Sequence, residues 1–182
     1  MTDAAATTKY RFLVLHDYGM GGVWWWVHAR SEREVLETFA EVEVVTRPDA
    51  AEQAEAWSLN EVDIDAPTMP GGLEELRSQR DGQRGRPGFG ALVDRGVVYV
   101  RRRWDDADDG DPTTYLMELG PDGRRLRQVE LVEDGAALRS GPDDWPFNPP
   151  LDLFDPQLAD AEINRDEFEA QWRRARHDES YW

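Results

Sequence analysis

Apolar and β-branched positions at the start of the chain predict two adjacent strands. Residues 10–16 read YRFLVLH and residues 23–29 read VWWWVHA, and both are typical of strands. The intervening DYGMGG contains three glycines, which adopt positive backbone angles at little steric cost. This pattern predicts a β-hairpin. Since successive side chains on a strand point to opposite faces, Trp24 and Trp26 are expected to lie opposite Trp25.

Helical and strand-like patterns then alternate. Ser31 and Glu34 match a capping box before an apolar stripe, so a helix is predicted over residues 32–40. Composition and breaker positions give the remaining elements of this half, which are a strand at 42–46, a helix at 50–58, a strand-like EVDID at 61–65 and a helix at 73–80. The N-terminal part therefore reads as a β-β-α-β-type unit.

The pattern changes after DGQRGRPGFG, residues 81–90, where five of ten residues are glycine or proline. Three strands separated by turns follow, at residues 97–104, 113–119 and 125–132, and their spacing predicts an antiparallel meander. Residues 141–156 are rich in proline and are expected to be irregular. Asn164 and Glu167 then form a second capping box, which begins a helix predicted over 165–176.

These elements predict an α+β fold in three stretches. Residues 1–80 form an N-terminal α+β unit, residues 81–96 a glycine- and proline-rich connection, and residues 97–182 an antiparallel sheet closed by a C-terminal helix. The two units can pack as one domain, because the first is small and its tryptophan-bearing strand needs cover.

Charge and composition exclude several functional classes. The formal net charge is −17, and such a field repels nucleic-acid phosphates and anionic membranes. The chain has no cysteine, so disulfides and thiolate metal sites are absent. The N-terminus lacks a signal-peptide pattern, and no apolar run approaches the roughly 20 residues that span a bilayer. A cytoplasmic location is expected.

Arginine is concentrated between two acidic blocks. Residues 77–104 carry 8 basic and 2 acidic side chains, whereas residues 1–76 carry 5 and 15 and residues 105–182 carry 8 and 21. Surface arginines commonly pair with carboxylates of their own molecule. The alternative is an anion-binding site, for which the candidates are Arg84, Arg86, Arg101 and Arg103.

The hairpin turn offers candidate chemistry at His16, Asp17 and Tyr18. A strand that ends in histidine before a glycine turn resembles the start of an α/β-hydrolase, but no G-x-S-x-G nucleophile motif occurs in the chain. The turn also lacks G-x-G-x-x-G and G-K-[ST] phosphate-binding spacing. His16 and His28 could meet across the hairpin as an acid–base pair or half a metal site. The spacing of the histidines favours no metal, and no cofactor is expected.

The acidic stretch DDADDGD begins at Asp105 and invites a calcium interpretation. It fails on detail, because the third and twelfth ligand positions are Ala107 and Leu116. We expect a solvated turn whose negative charge meets a basic protein partner. The candidate charged contacts are Asp105, Asp106, Asp108 and Asp109, and the candidate aromatic anchors are Trp145 and Trp25.

Motifs in the second half also resemble a known group of proteins. The stretches TTYLMELGPDGRRLRQVELVEDG, DWPFNPPLDLFDP and EINRDEFEAQWRRA lie within about residues 97–176. They resemble a group of small bacterial domains of unknown function, and the whole chain is similar to conserved hypothetical proteins of GC-rich actinobacteria. The resemblance implies no activity, although such domains are often partners of other proteins. The N-terminal unit and the long acidic turn are departures from that group.

Two functions remain open from the sequence. The first is non-catalytic protein–protein recognition, immunity-like or regulatory, in which an acidic surface binds a basic partner. The alternative is a small-molecule-binding protein or enzyme centred on His16, Asp17 and Tyr18, with arginines that hold an anionic ligand.

Overall fold

The computed structural model describes residues 8–104, 112–132 and 135–177. The chain divides into two compact units, Met1–Arg86 and Pro87–Trp182. Helices and strands occur in both units, and each unit contains one mixed sheet. The α+β prediction is confirmed.

The first unit is a four-stranded sheet with helices on both faces. Its elements are β1 (Tyr10–Asp17), β2 (Gly22–Ala29), α1 (Glu32–Thr38), β3 (Glu43–Val45), α2 (Pro48–Glu55), β4 (Asn60–Asp63) and α3 (Leu73–Arg84). The strand order is β3-β1-β2-β4. The predicted hairpin is present, because β1 pairs with β2 antiparallel from Tyr10 opposite Ala29 to Asp17 opposite Gly22. Strand β4 joins parallel to β2.

Alternation along β2 divides the core of this unit into two layers. On one face, here called the inner face, Trp25 and Val27 pack with residues of α1 and α3 such as Val35 and Leu73. On the other, the outer face, Trp24 and Trp26 belong to a second cluster that includes alanines of α2. The prediction that Trp25 points opposite its two neighbours is therefore confirmed.

Helix boundaries in this unit follow local chemistry. The Ser31 hydroxyl accepts a hydrogen bond from the Glu34 amide at 3.1 Å, as the capping pattern predicts. Helix α2 begins at Pro48 instead of residue 50, because proline fits the first turn, where no amide partner is needed. Helix α3 continues to Arg84, beyond the predicted end at residue 80. The glycine at position 82 lowers helix propensity without ending the helix.

The second unit is a five-stranded sheet in which the predicted meander is present. Its elements are β5 (Val98–Trp104), β6 (Thr113–Leu119), β7 (Arg125–Leu131), β8 (Ala137–Ser140), a single 3-10 turn (Pro142–Asp144), α4 (Pro156–Asp160), α5 (Arg165–Arg174) and β9 (Arg176–His177). The order is β5-β6-β7-β8-β9. The first four strands are antiparallel neighbours, and β9 pairs parallel to β8.

Apolar layers cover both faces of this second sheet. Phe168 of α5 packs on one face with Leu116 and Val129. The other face carries Val100 in a cluster that includes Leu153 from the proline-rich segment. The Asn164 side chain accepts from the Glu167 amide at 2.8 Å. The second predicted cap is thus confirmed, although α5 ends at Arg174 instead of residue 176.

Candidate functional site

The tip of the first hairpin is a tight turn held by its own polar groups. The amide of Tyr18 donates to the carbonyl of Gly21 at 3.1 Å, and the Gly19 amide donates to the Asp17 carboxylate at 2.7 Å. Gly19 and Gly21 have φ angles of 84° and 146°, which other residues rarely adopt. Asp17 therefore has a structural role in this turn, while the Tyr18 side chain is exposed.

The two histidines of the hairpin lie far apart. His16 is paired with Val23 near the turn, whereas His28 is paired with Arg11 near the other end of the strands. Strand alternation also places the two histidines on opposite faces. The interpretation that they meet across the hairpin is wrong. The Nδ1 atom of His16 lies 2.8 Å from the carbonyl oxygen of Glu41, so a backbone contact orients this ring.

Near the turn, the first unit exposes a group of large apolar side chains that we call the hairpin patch. Trp24 and Trp57 meet edge to face, with ring centroids 5.4 Å apart and planes at 68°. Trp57 is 43% exposed and Leu15 lies directly opposite Trp24 in the strand register. At the turn itself Tyr18 is 59% and Met20 94% exposed. The hairpin patch comprises Leu15, Tyr18, Met20, Trp24 and Trp57.

A glycine shapes the floor of the hairpin patch. A Cβ atom added to Gly22 would lie 2.4 Å from Cδ1 of Leu15 and 3.5 Å from Nε1 of Trp24. The first distance is far shorter than a van der Waals contact, so a larger residue at position 22 would displace the Leu15 side chain. The close approach of Leu15 and Trp24 thus depends on a residue without a side chain.

The opposite end of the same outer face is covered by charged groups. The guanidinium carbon of Arg11 lies 3.8 Å from the ring centre of Trp26. Arg11 also donates hydrogen bonds to Glu55 and, at 2.7 Å, to Glu61. His28 contacts Glu61 at 2.9 Å, and this hydrogen bond followed by the charge of Arg11 lowers the pKa of the Glu61 carboxyl.

Further ion pairs continue from this end. The Asp65 carboxylate binds Arg30 and Lys9, and these two contacts lower its pKa to about 2. Lys9 also binds Asp63. Since these groups are largely exposed, their pairing contributes little stability. It does neutralise the local charge.

The arginines that the sequence marks as an anion-binding set divide between the two units. Arg84 donates to the carbonyl of Glu37 and, at 3.3 Å, to the carboxylate of Asp81. Arg86 is exposed after α3. Arg101 binds Glu167, and Arg103 is an exposed residue of β5. Arg84 and Arg101 thus pair with carboxylates of their own chain.

A cavity in the second unit is lined by other arginines. It has a volume of about 420 Å³, and its lining consists of Gly135, Ala136, Ala137, Arg174 and Arg176. The sequence analysis missed this position. The signal was the run RRAR at the end of the last helix, where basic side chains also stabilise the helix dipole.

The predicted partner-binding residues fall in three kinds of place. Trp25 is 1% exposed within the inner core, so its indole offers no surface to a partner. Trp145 is 9% exposed and donates from Nε1 to the Ser140 hydroxyl at 3.1 Å. The proposed charged contacts Asp105, Asp106, Asp108 and Asp109 lie outside the described residues.

The negative charge is distributed unevenly along the chain. Residues 8–86 carry 15 acidic and 9 basic side chains. The described part of the second unit carries 13 acidic and 12 basic side chains, and is therefore nearly neutral. The remaining 10 acidic residues, with no basic residue, lie in 1–7, 105–111, 133–134 and 178–182. Within the described residues, the excess of carboxylates belongs to the first unit.

Comparisons with other proteins and searches for special sites add few constraints. Neither protein-family models, curated proteins nor solved structures gave a match. The resemblance of residues 97–176 to small bacterial domains therefore stays a prediction. Over residues 8–104, 112–132 and 135–177, no group of three or more histidine, aspartate or glutamate side chains is placed to hold a metal ion. No helix in that same part of the chain has both the length and the apolar character needed to cross a membrane.

Proposed function

We propose that this protein is a non-catalytic recognition module, immunity-like or regulatory, that binds a basic protein partner in the cytoplasm. The observation that carries the proposal is the hairpin patch, in which Tyr18, Met20 and Trp57 are exposed on a unit with an excess of carboxylates. Exposed aromatic residues beside apolar neighbours are typical anchors of protein interfaces. The surrounding negative charge favours a cationic partner and accelerates encounter with it.

Several features favour recognition over catalysis at the hairpin turn. The Asp17 carboxylate accepts the Gly19 amide, and a backbone carbonyl orients His16. Tyr18 points away from any enclosed site, since it is more than half exposed. A general acid or base needs to reach a bound substrate. The exposed apolar residues of the same turn suit a protein surface better.

The test uses immobilised protein and an extract of the source cells at low ionic strength. We expect capture of a protein of basic isoelectric point, identified by mass spectrometry and released by moderate salt. The purified partner should then bind the wild type, bind Trp57→Ala at least about tenfold more weakly, and bind the Asp105→Asn, Asp106→Asn double variant more weakly. Phe147→Ala is the matched control, because Phe147 is an exposed aromatic residue of the second unit.

Two results contradict the proposal. The first is that no salt-sensitive complex forms at low ionic strength. The second is that the captured partner binds the Trp57→Ala and Phe147→Ala variants with equal affinity, which would remove the hairpin patch from the interface.

A further inference from the structure

The outer face of the first sheet contains an arginine site that the protein fills itself. Trp26 supplies the aromatic surface, and the Arg11 guanidinium stacks on it with 3.8 Å between the guanidinium carbon and the ring centre. Glu55 and Glu61 bind the nitrogen atoms of the same guanidinium. The site thus combines an indole plane with carboxylates, which is the pairing that a planar cation favours.

The same ingredients recur one step along the strands. Trp24 lies two residues from Trp26 on the same face, and Trp57 extends its aromatic surface. In the register Leu15 is opposite Trp24 on one side and opposite Glu43 on the other. Asp17 follows Leu15 by two residues and so lies on this face as well. Two carboxyl-bearing residues therefore flank the indole pair.

The cation is what differs between the two positions. No arginine or lysine side chain of the described residues stacks on Trp24 or Trp57, in contrast to the Arg11 contact on Trp26. Trp57 remains 43% exposed. The second position therefore has the aromatic and anionic components of an arginine site, and its aromatic component is open to solvent.

We propose that the indole pair of Trp24 and Trp57 binds an arginine side chain of the partner, with Asp17 and Glu43 as its counter-charges. This inference rests on the proposed function and names the chemistry of the partner. Arginine fits better than lysine, because its planar guanidinium stacks on indoles and forms paired hydrogen bonds to carboxylates. The exposed Tyr18 and Met20 provide apolar contacts for the residues next to that arginine.

Arginine recognition is tested by nitrogen-15 NMR of the indole N–H signals, assigned with single Trp→Phe variants. The probe is N-acetyl-arginine amide, compared with N-acetyl-lysine amide and with N-acetyl-citrulline amide, which is neutral but nearly isosteric. We expect saturable shifts of the Trp24 and Trp57 signals with arginine, about two- to fivefold weaker binding of lysine, and no saturable binding of citrulline. The Trp26 signal should stay constant, because Arg11 already covers that ring.

Variants separate specific binding from general effects. Trp57→Ala should abolish the arginine-dependent shift of Trp24, and Asp17→Asn with Glu43→Gln should weaken it severalfold. Phe147→Ala should leave it unchanged. Equal responses to arginine and citrulline would overturn the inference, as would an unchanged response in Trp57→Ala. Circular dichroism of each variant confirms that the fold is retained.

This experiment fails independently of the partner experiment. If the amide binds and no partner complex forms, the arginine site stands and the proposed function falls. If a partner binds through Trp57 while the arginine amide gives no selective shift, the recognition function stands and the arginine inference is wrong.

Discussion

The two ends of the outer face carry the same kind of residue in different surroundings. Trp26 is 5% exposed beneath Arg11, whose charge is met by Glu55 and Glu61. At the other end Trp57 is 43% exposed and meets Trp24 edge to face. The comparison separates two uses of an indole on one sheet: one completes the surface of the protein, and the other presents surface to a partner.

Removing the shared support should have the largest effect on both ends. Trp25 lies on the opposite side of β2, is 1% exposed and packs in the inner core. Trp25→Ala leaves a cavity there and is expected to lower the free energy of unfolding by about 3–5 kcal/mol. Urea unfolding monitored by circular dichroism measures this. A loss below about 1 kcal/mol would contradict the assigned packing.

Removing the built-in cation should convert one end into the other. Arg11→Ala uncovers Trp26 and is expected to cost about 1 kcal/mol of stability through the lost stacking. Millimolar ethylguanidinium should restore part of the loss and shift the Trp26 indole signal. Arg47→Ala, at an exposed arginine of the same unit, is the control. Equal effects of ethylguanidinium on both variants would show that the Trp26 site is not selective.

Removing the exposed indole should barely affect folding. Trp57→Ala deletes a half-exposed ring, so we expect a stability loss of about 1 kcal/mol or less, well below that of Trp25→Ala. The same urea titration provides the measurement. If Trp57→Ala proves as costly as Trp25→Ala, the exposed end is part of the core and the contrast between the two ends disappears.

The ion pairs beyond the Arg11 end predict a small pH effect. Arg30 and Lys9 lower the pKa of Asp65 from 3.8 to about 2. The unfolded state therefore binds more protons in this range, so the contribution is complete above about pH 4 and is lost as the pH falls towards 2. Asp65→Asn should flatten the fall in unfolding free energy across this window. Glu52→Gln, at an exposed residue of α2, serves as the control.

Local signals in the sequence predicted much of the fold. The two capping patterns placed the starts of α1 and α5, because a cap depends on residues three positions apart. The alternation rule assigned the three tryptophans to their faces without any tertiary information. The glycines between β1 and β2 predicted the hairpin because they permit its turn.

Long-range pairing escaped the sequence for a physical reason. Strand β4 is a parallel edge strand of four residues, and its side-chain pattern does not state that β2 is its neighbour. The two-residue β9 and the short α4 also give little periodic signal. The hairpin patch was missed for the same reason, since Trp57 meets Trp24 only through tertiary contact. Burial of Trp25 likewise depended on which helices cover the sheet.

The parallel placement of β4 has a consequence for the order of folding. The hairpin of β1 and β2 forms from neighbouring segments, whereas β4 must close a loop over residues 30–59 before it pairs with β2. Trp57 precedes β4 directly, so its contact with Trp24 belongs to this slower, non-local step. Quenching between these two indoles during refolding would thus time the moment at which the chain acquires its partner-facing surface.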